Sequence, residues 1–256
     1  VMIALTGTPL IGDGYNTKDV FGEYIHKYYY NRSIADGYTL KLIREGIKTE
    51  YRAKLNAVLE ELEARKGSLS KKDVYAHPKY VAALVDYIVD DFQHSRVALS
   101  DSTIGGMIVC DSSDQARMVD QELNRYSQVS HILILHDVED KETRRRYTDD
   151  FKKGKIDLLV VYNMLLTGFD APRLKKQYLG RVIKEHNLLQ TLTRVNRPYK
   201  AFRYGYVVDF ADIRAEFDKT NQAYFKELQA ELGDEFERYS NIFKSQEEVE
   251  QELRAA

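Results

Sequence analysis

The chain has 256 residues, of which 43% are hydrophobic and 30% charged, so it can bury at least one core and form one or two domains. No apolar run reaches the roughly 18 to 20 residues that a membrane span needs, and the first residues lack a signal-peptide pattern, so we expect a cytoplasmic protein with no membrane partner. A single cysteine excludes an internal disulfide, and six scattered histidines without cysteine partners argue against a metal ion held by this chain.

The net charge of -2 hides an uneven distribution along the chain. Residues 171–208 carry nine Lys and Arg against one acid, whereas thirteen acids oppose six bases from Asp209 to the end. This change in composition predicts a boundary near residue 209. The basic segment forms either a solvated face or an anion-binding one, and charge alone favours neither.

The first predicted elements are a strand, a loop, a second strand and two helices. Residues 1–5 are an apolar run that leads into Thr-Gly-Thr-Pro at 6–9, which predicts a buried strand entering a tight turn. Because a protein seldom begins inside a strand, we expect a fragment whose first residues belong to a preceding sheet. Alternating apolar residues predict a second strand at 38–43. Apolar stripes at helical spacing then predict two helices that pack on a core, one with Leu55, Val58, Leu59 and Leu62, the next starting near Pro78 with Val81, Leu84, Val85, Ile88 and Phe92.

From Gly105 onward, short apolar strands alternate with helices. Strands are predicted at 107–110, 132–135, 158–162 and 206–210. This pattern indicates an α/β fold with a parallel sheet covered by helices on both faces. In such sheets the functional loops gather at the carboxyl ends of the strands. The last fifty or so residues predict helices with no strand.

One candidate phosphate-binding loop follows the predicted strand at 158–162. It places the hydroxyl of Thr167, the small Gly168 and the carboxylate of Asp170 close together in the chain, before a proline that ends the loop. Such a loop can hold a phosphate, and an ordinary connection between a strand and a turn explains it equally well.

A second candidate lies where the strand at 107–110 meets a helix. Ser112 and Gln115 have the spacing of a capping box, which predicts that a helix starts here. Free amides at the start of a helix, together with the hydroxyls of Ser112 and Ser113, favour an anion. Taken alone, a simple helix cap is the better explanation.

The third candidate is the segment 188–198, which predicts a helix with Gln190, Arg194 and Arg197 on one face. The apolar residues of this helix would be buried, and charges fixed on the remaining face are costly without partners. Two planar guanidinium groups suit a phosphate better than they suit a core. We therefore favour phosphate binding over a solvated surface.

The sequence contains no Gly-x-x-x-x-Gly-Lys-Ser/Thr motif. Nothing here would cradle the β- and γ-phosphates with a lysine and a magnesium-binding hydroxyl. We therefore expect the chain to be unable to hydrolyse ATP unaided.

Four of these segments, at 6–9, 107–113, 167–170 and 190–197, resemble motifs III, IV, V and VI of superfamily 2 helicases in order and spacing. The stretches 164–172 and 186–197 look specifically like the motor subunit of type I restriction enzymes, and Tyr-Val-Val-Asp-Phe at 206–210 also fits that family. The resemblance covers about residues 1–210.

The resemblance implies a RecA-like α/β fold, with a parallel sheet, helices on both faces and a helical C-terminal extension. It divides the chain into the end of a first RecA-like lobe and a linker at 1–32, a second helicase lobe at 33–208 with a helical insertion at about 48–98, and a helical extension at 209–256.

The resemblance also implies roles for individual residues. ATP and Mg²⁺ would be bound mainly by the first lobe, supplied in cis, and Arg194 and Arg197 would reach across the cleft as arginine fingers. The remaining implied roles are nucleotide contacts by Gln190, Gly168 and Asp170, contacts with the DNA backbone by Ser112, Ser113 and Thr167, and coupling of the two sites by Thr6 and Thr8.

The implied function is the second motor lobe of an ATP-dependent double-stranded DNA translocase in a type I restriction endonuclease, which assembles with methyltransferase and specificity subunits. That family's subunit carries its nuclease domain ahead of the motor, and we expect this chain alone to be inactive because it has neither a P-loop nor nuclease residues. The sequence departs from the broad helicase pattern at Thr193, where many helicases have Gly, and near residues 162–163, where many have an acid.

Two alternatives stay open: a non-catalytic RecA-like module that binds nucleic acid or protein, and a lobe of another superfamily 2 enzyme such as an RNA helicase. The paired arginines argue against a pure binding module, which has no use for charges aimed at a nucleotide. A P-loop lobe preceded by a nuclease domain upstream would support the restriction enzyme, and the absence of a P-loop would exclude it.

Overall fold

The computed structural model of this protein describes residues 3, 17–26, 28, 30–66, 71–183, 185–211 and 243–245, and the structural statements below concern these residues. Its strands are β1 (Lys41–Gly46), β2 (Gly105–Val109), β3 (His131–Ile134), β4 (Leu158–Val161), β5 (Leu174–Leu179), β6 (Tyr204–Asp209) and β7 (Phe243–Ser245). They form one sheet in the order β3-β4-β2-β5-β6-β1-β7, and each strand pairs with its neighbours in parallel. The predicted parallel α/β fold is confirmed.

The helices connect the strands and cover the sheet. They are α1 (Thr17–Phe21), α2 (Tyr30–Ala35), α3 (Thr49–Lys66), α4 (Lys71–Tyr75), α5 (Pro78–Ala98), α6 (Ser113–Leu123), α7 (Lys141–Lys152) and α8 (Glu185–Leu192). The two helices predicted from apolar stripes correspond to α3 and α5. Helix α5 begins with Pro78 after His77, whose side chain accepts a hydrogen bond from the Lys79 amide.

Alternating side chains of the strands build two cores, one on each face of the sheet. On β2, Ile108 lies in the core that also holds the apolar side chains of α3, α5 and α6, whereas its neighbours Met107 and Val109 lie in the other. The second core includes Phe151 of α7 and Leu188 of α8. Burial on both faces explains why these strands are apolar runs rather than alternating ones.

The predicted strand bounds differ from the observed ones by up to three residues, and two of the described strands, β5 and β7, were not predicted. The prediction at 38–43 corresponds to Lys41–Gly46, and that at 206–210 to Tyr204–Asp209. Strand β5 contains Lys175 and Lys176, which the sequence analysis counted among the nine bases of segment 171–208, as either a solvated or an anion-binding face. Both lysines are in fact buried, and each has an acceptor in a distant part of the chain: Lys175 donates to the carbonyl of Val195, and Lys176 to the carboxylate of Glu45.

The last fifty residues were expected to contain no strand, and this expectation is wrong for Phe243–Ser245. These three residues form β7, which pairs in parallel with β1 at the edge of the sheet. The segment is short and contains Lys244, so it lacks the apolar run from which a strand is recognised. No helix within the described ranges is both long and apolar enough to cross a membrane.

Candidate functional site

The segment with the two candidate arginines is a turn after a helix, not a continuation of it. Helix α8 ends at Leu192, and the amides of Arg194 and Val195 donate to the carbonyls of Thr191 and Leu192 in a tighter, three-residue pattern. Gln190, Arg194 and Arg197 therefore do not share a single helical face, and that prediction is wrong.

Competing hydrogen bonds explain why the helix stops. The carbonyl of Gln190, which would accept the Arg194 amide in a longer helix, accepts instead from the Thr193 hydroxyl at 3.0 Å and from Arg194 Nε at 2.9 Å. Beyond the turn, Pro198 disfavours the helical conformation at Arg197, so the helix does not resume there.

This turn, residues 193–198, lies at the amino-terminal ends of the strands. The buried Lys175, second residue of β5, donates from Nζ to the carbonyls of Val195, at 3.2 Å, and Arg197. The amide of Leu40, just before β1, donates to the carbonyl of Asn196 at 2.6 Å. The sequence predicted functional residues at the carboxyl ends of the strands. The two arginines lie at the amino ends instead, because α8 carries the chain back along the sheet before the turn begins.

Arg194 joins the turn to the loop that follows β4. Its Nη1 donates to the carbonyl of Phe169 at 2.8 Å, while its Nε is bound to Gln190. The pKa of Arg194 is lowered, chiefly by burial and then by the charge of Arg197, while Asp170 opposes the shift. The guanidinium remains charged and holds two segments together through their carbonyl oxygens.

Arg197 is exposed and, among the described residues, forms an ion pair with Asp170. Its Nε lies 3.3 Å from Oδ1 of Asp170, and the two side chains are 46% and 63% exposed. An ion pair this exposed contributes at most about 1 kcal/mol and is easily exchanged for another partner. Arg197 is therefore available to an anionic ligand, whereas Arg194 is largely committed within the protein.

The loop after β4 presents the other candidate residues around the same turn. Thr167, Gly168 and Asp170 are exposed, and the buried Phe169 anchors the loop in the core. Gly168 has a φ of +70° with no atom within 4 Å of where a Cβ would stand, so its backbone is open to solvent. Gln190 lies half-buried near the end of α8 and makes a further interaction besides those of its carbonyl with Thr193 and Arg194.

Ser112 and Ser113 lie at the opposite, carboxyl end of the sheet. The Ser112 hydroxyl is buried and accepts a hydrogen bond from the Gln115 amide at 3.1 Å, so the predicted helix cap is present. Gln115 Oε1 accepts from the amide of Asp111 at 2.6 Å, one residue before the partner that a capping box would use. Ser113 is half-buried at the first position of α6 and is the more accessible of the two hydroxyls.

The predicted residues thus fall into two groups rather than one site. Residues 167–170 and 194–197 meet at the amino ends of the strands, while Ser112 and Ser113 lie beyond the carboxyl end of β2. Thr6 and Thr8 are outside the described residues. The described part of the chain contains no group of three or more His, Cys, Asp or Glu that could hold a metal ion.

Sequence reasoning missed Lys175, which supports the arginine turn from below. Burial, and to a smaller extent the charge of Arg197, lowers the pKa of Lys175 to about 7. In the sequence Lys175 is one of nine bases in a basic segment, and nothing distinguishes it from a solvated lysine. Only the pairing of β5 in the middle of the sheet reveals it.

The comparisons with known proteins agree with this architecture. Residues 71–212 match the family model of type I restriction enzyme subunit R domain 3, and residues 1–74 match that of the SWI2/SNF2 ATPase. Among solved structures, the fragment of an HsdR subunit of a type I restriction enzyme from Vibrio vulnificus superposes with a TM-score of 0.55 at 17% identity, over 80% of this chain and 38% of that one. The ATP-dependent type ISP restriction-modification enzyme LlaBIII bound to DNA gives 0.52 at 11% identity, over 85% and 17%.

Curated relatives carry the same family name. The chain is 26% identical, over 99% of its length, to a Methanocaldococcus jannaschii protein named as the endonuclease subunit of type I restriction enzyme MjaVIIP. It is 23% identical, over 97% of its length, to the HindI endonuclease subunit of Haemophilus influenzae. It spans 29% and 26% of these two relatives. With more than half of its residues matched by the domain 3 model, the chain belongs to the type I restriction enzyme subunit R family.

Proposed function

We propose that this chain is the second motor lobe of an ATP-dependent double-stranded DNA translocase within a type I restriction endonuclease. The observation that carries the proposal is the exposed Arg197 and its weak partner Asp170, held on a turn that Arg194 and Lys175 fix to the sheet. The family membership and the likeness to a SWI2/SNF2 ATPase over residues 1–74 support it.

In this proposal Arg197 acts on ATP held by the other lobe. While the cleft is open, Asp170 neutralises the guanidinium, which costs little to undo because both groups are in water. When ATP draws the lobes together, the γ-phosphate replaces Asp170 and Arg197 stabilises the charge that develops during phosphoryl transfer. An arginine finger of this kind is worth about 10³ to 10⁵ in rate.

Arg194 has a different part in the same event. Two of its N–H groups are bound to the carbonyls of Gln190 and Phe169, so it sets the distance between the turn and the loop that carries Asp170. The remaining N–H groups of Arg194 can reach a phosphate only where the position of the loop that carries Asp170 permits it. We assign Arg197 as the principal finger and Arg194 as the residue that positions it, with Gln190 and Gly168 beside the nucleotide.

The metal ion belongs to the other lobe in this proposal. The described residues hold no carboxylate cluster suited to Mg²⁺, so we assign no ligand for it here and no step depends on one from this chain. When bound, Mg²⁺ neutralises phosphate charge and orients the phosphates of ATP.

DNA contacts complete the proposed motor. Ser113 and Thr167 are accessible hydroxyls that can bind backbone phosphates, whereas the Ser112 hydroxyl already caps α6. Contacts of this kind do not depend on base sequence and weaken with salt. Closure of the lobes would advance these contacts along the duplex, and hydrolysis would release them. The nuclease, methyltransferase and specificity functions would come from other parts of the assembly.

The test uses the full-length protein that contains this chain. ATP hydrolysis should rise when double-stranded DNA is added, and a DNA triplex placed along the duplex should be displaced in the presence of ATP but not of a non-hydrolysable analogue. Hydrolysis that ignores double-stranded DNA, or responds to RNA instead, would contradict the proposal and favour another superfamily 2 enzyme. Tight DNA binding without any hydrolysis would favour a binding module.

A further inference from the structure

Arg181 lies just beyond the carboxyl end of β5, and no acid among the described residues forms an ion pair with it. Its guanidinium carbon lies 4.6 Å from the ring centroid of Tyr162, which follows β4. Its Nε is buried and makes no hydrogen bond, and no ion pair or hydrogen bond joins Arg181 to any described residue. Arg181 is half-buried, and a buried donor atom left without an acceptor costs about 1–3 kcal/mol, so a ligand oxygen that reaches this Nε would be favoured.

The position of Arg181 is fixed by the backbone before it. A Cβ on Gly180 would stand 2.9 Å from the carbonyl oxygen of Val109, the last residue of β2, so only glycine lets the chain pass this closely. The chain thus crosses the end of β2 and carries Arg181 toward Tyr162 at the end of β4. Because β2 lies between β4 and β5, the guanidinium sits at the centre of the carboxyl edge.

The chemistry of the site favours a phosphate. The contact with the Tyr162 ring positions the guanidinium, whose planar fork of N–H groups can bind phosphate oxygens in pairs. The first turn of α6, with the accessible Ser113, starts from the same end of β2. Asp111, which follows β2, forms no ion pair with Arg181, and Asp209 at the end of β6 pairs instead with Arg44.

We propose that Arg181 binds a phosphate group at the carboxyl edge of the sheet, and that in the full-length protein this phosphate belongs to the DNA backbone. The assignment of this phosphate to DNA rests on the proposed function, whereas the binding of a phosphate by Arg181 does not. The contact would be an anchor on the duplex at the opposite end of the strands from Arg197.

The test compares three variants of the full-length protein by fluorescence anisotropy with a labelled DNA duplex at several salt concentrations. Arg181→Gln should weaken binding by roughly 10-fold to 100-fold and reduce the slope of log affinity against log salt by about 0.9, the value for one phosphate contact. Arg181→Lys should recover the slope and part of the affinity, because it keeps the charge and loses the paired geometry. Arg203→Gln makes the same charge change at the amino end of β6, where Arg203 is exposed, and should leave the affinity within about twofold.

A second measurement separates a binding role from a packing role and one phosphate source from the other. Loss of the contact with Tyr162 should lower the thermal midpoint of Arg181→Gln slightly in either case, so the discriminating readout is the response to pyrophosphate, which a residue that only packs on Tyr162 would not give. Pyrophosphate should raise the midpoint of the wild-type chain but not that of Arg181→Gln. If the duplex does not bind even to the wild-type protein while pyrophosphate still acts through Arg181, the phosphate site stands and the proposed function fails. Equal DNA affinity and equal pyrophosphate response in wild type and Arg181→Gln would overturn the proposal.

Discussion

At the scale of single residues, the behaviour of the two candidate arginines depends on a lysine below them. Lys175 is fully buried, and its ammonium holds the carbonyls of Val195 and Arg197 on either side of Asn196. The types and the spacing of the arginines were readable from the sequence. The sequence did not show which arginine is exposed or what fixes the turn, because both depend on contacts between β5 and a segment about twenty residues away.

The pKa of Lys175 predicts how stability depends on pH. It falls from its ordinary value to about 7 in the folded chain, so between pH 7 and about 10 the unfolded chain binds more protons and the free energy of unfolding rises with pH. Denaturation of the wild-type chain and Lys175→Met at pH 7, 8 and 9 should show the stability difference shifting toward wild type, by at most about 1.4 kcal/mol per pH unit. A difference that stays constant over this range would show that Lys175 has an ordinary pKa.

At the scale of elements, the sequence predicted those in which a continuous apolar pattern runs along the element. Helices α3 and α5 and strands β2 and β4 were recognised because one apolar pattern runs through each. Strand β5 was missed because it buries lysines, whose acceptors come from distant parts of the chain. Helix α8 was drawn too long because local periodicity cannot show that Lys175 and the Leu40 amide take the carbonyls after its end.

The close packing of β6 on the arginine turn gives a prediction for Gly205. A Cβ there would stand 2.3 Å from the carbonyl oxygen of Val195, so either the strand or the turn must move. Gly205→Ala should lower the free energy of unfolding by about 1–3 kcal/mol or more. Gly46→Ala, at the end of β1, is the matched control: its nearest neighbour would be 4.0 Å away, and its effect should stay within about 0.5 kcal/mol. Urea denaturation of both variants measures this, and equal stabilities would mean that β6 and the turn are not in contact.

At the scale of the whole molecule, the sheet separates two groups of candidate residues. Arg197 and Asp170 lie at the amino ends of the strands, and Ser113 and Arg181 at the carboxyl ends, about 17–20 Å apart for strands of this length. The order of motifs along the sequence identified the family and the fold. It did not reveal this separation, because spacing along a chain does not say to which end of the sheet a helix returns. A rigid parallel sheet between the two groups would transmit movement at one end to the other.

The central claim is that Arg197 completes the ATPase site of a neighbouring lobe. The most direct measurement is the DNA-stimulated rate of ATP hydrolysis by the full-length protein carrying Arg197→Ala, with DNA affinity measured on the same preparation and Arg145→Ala, on the surface of α7, as the control. The rate should fall by about 10³-fold or more while DNA affinity changes by less than about threefold, because the arginine stabilises the transition state and does not hold the duplex. A rate close to that of wild type would contradict the account.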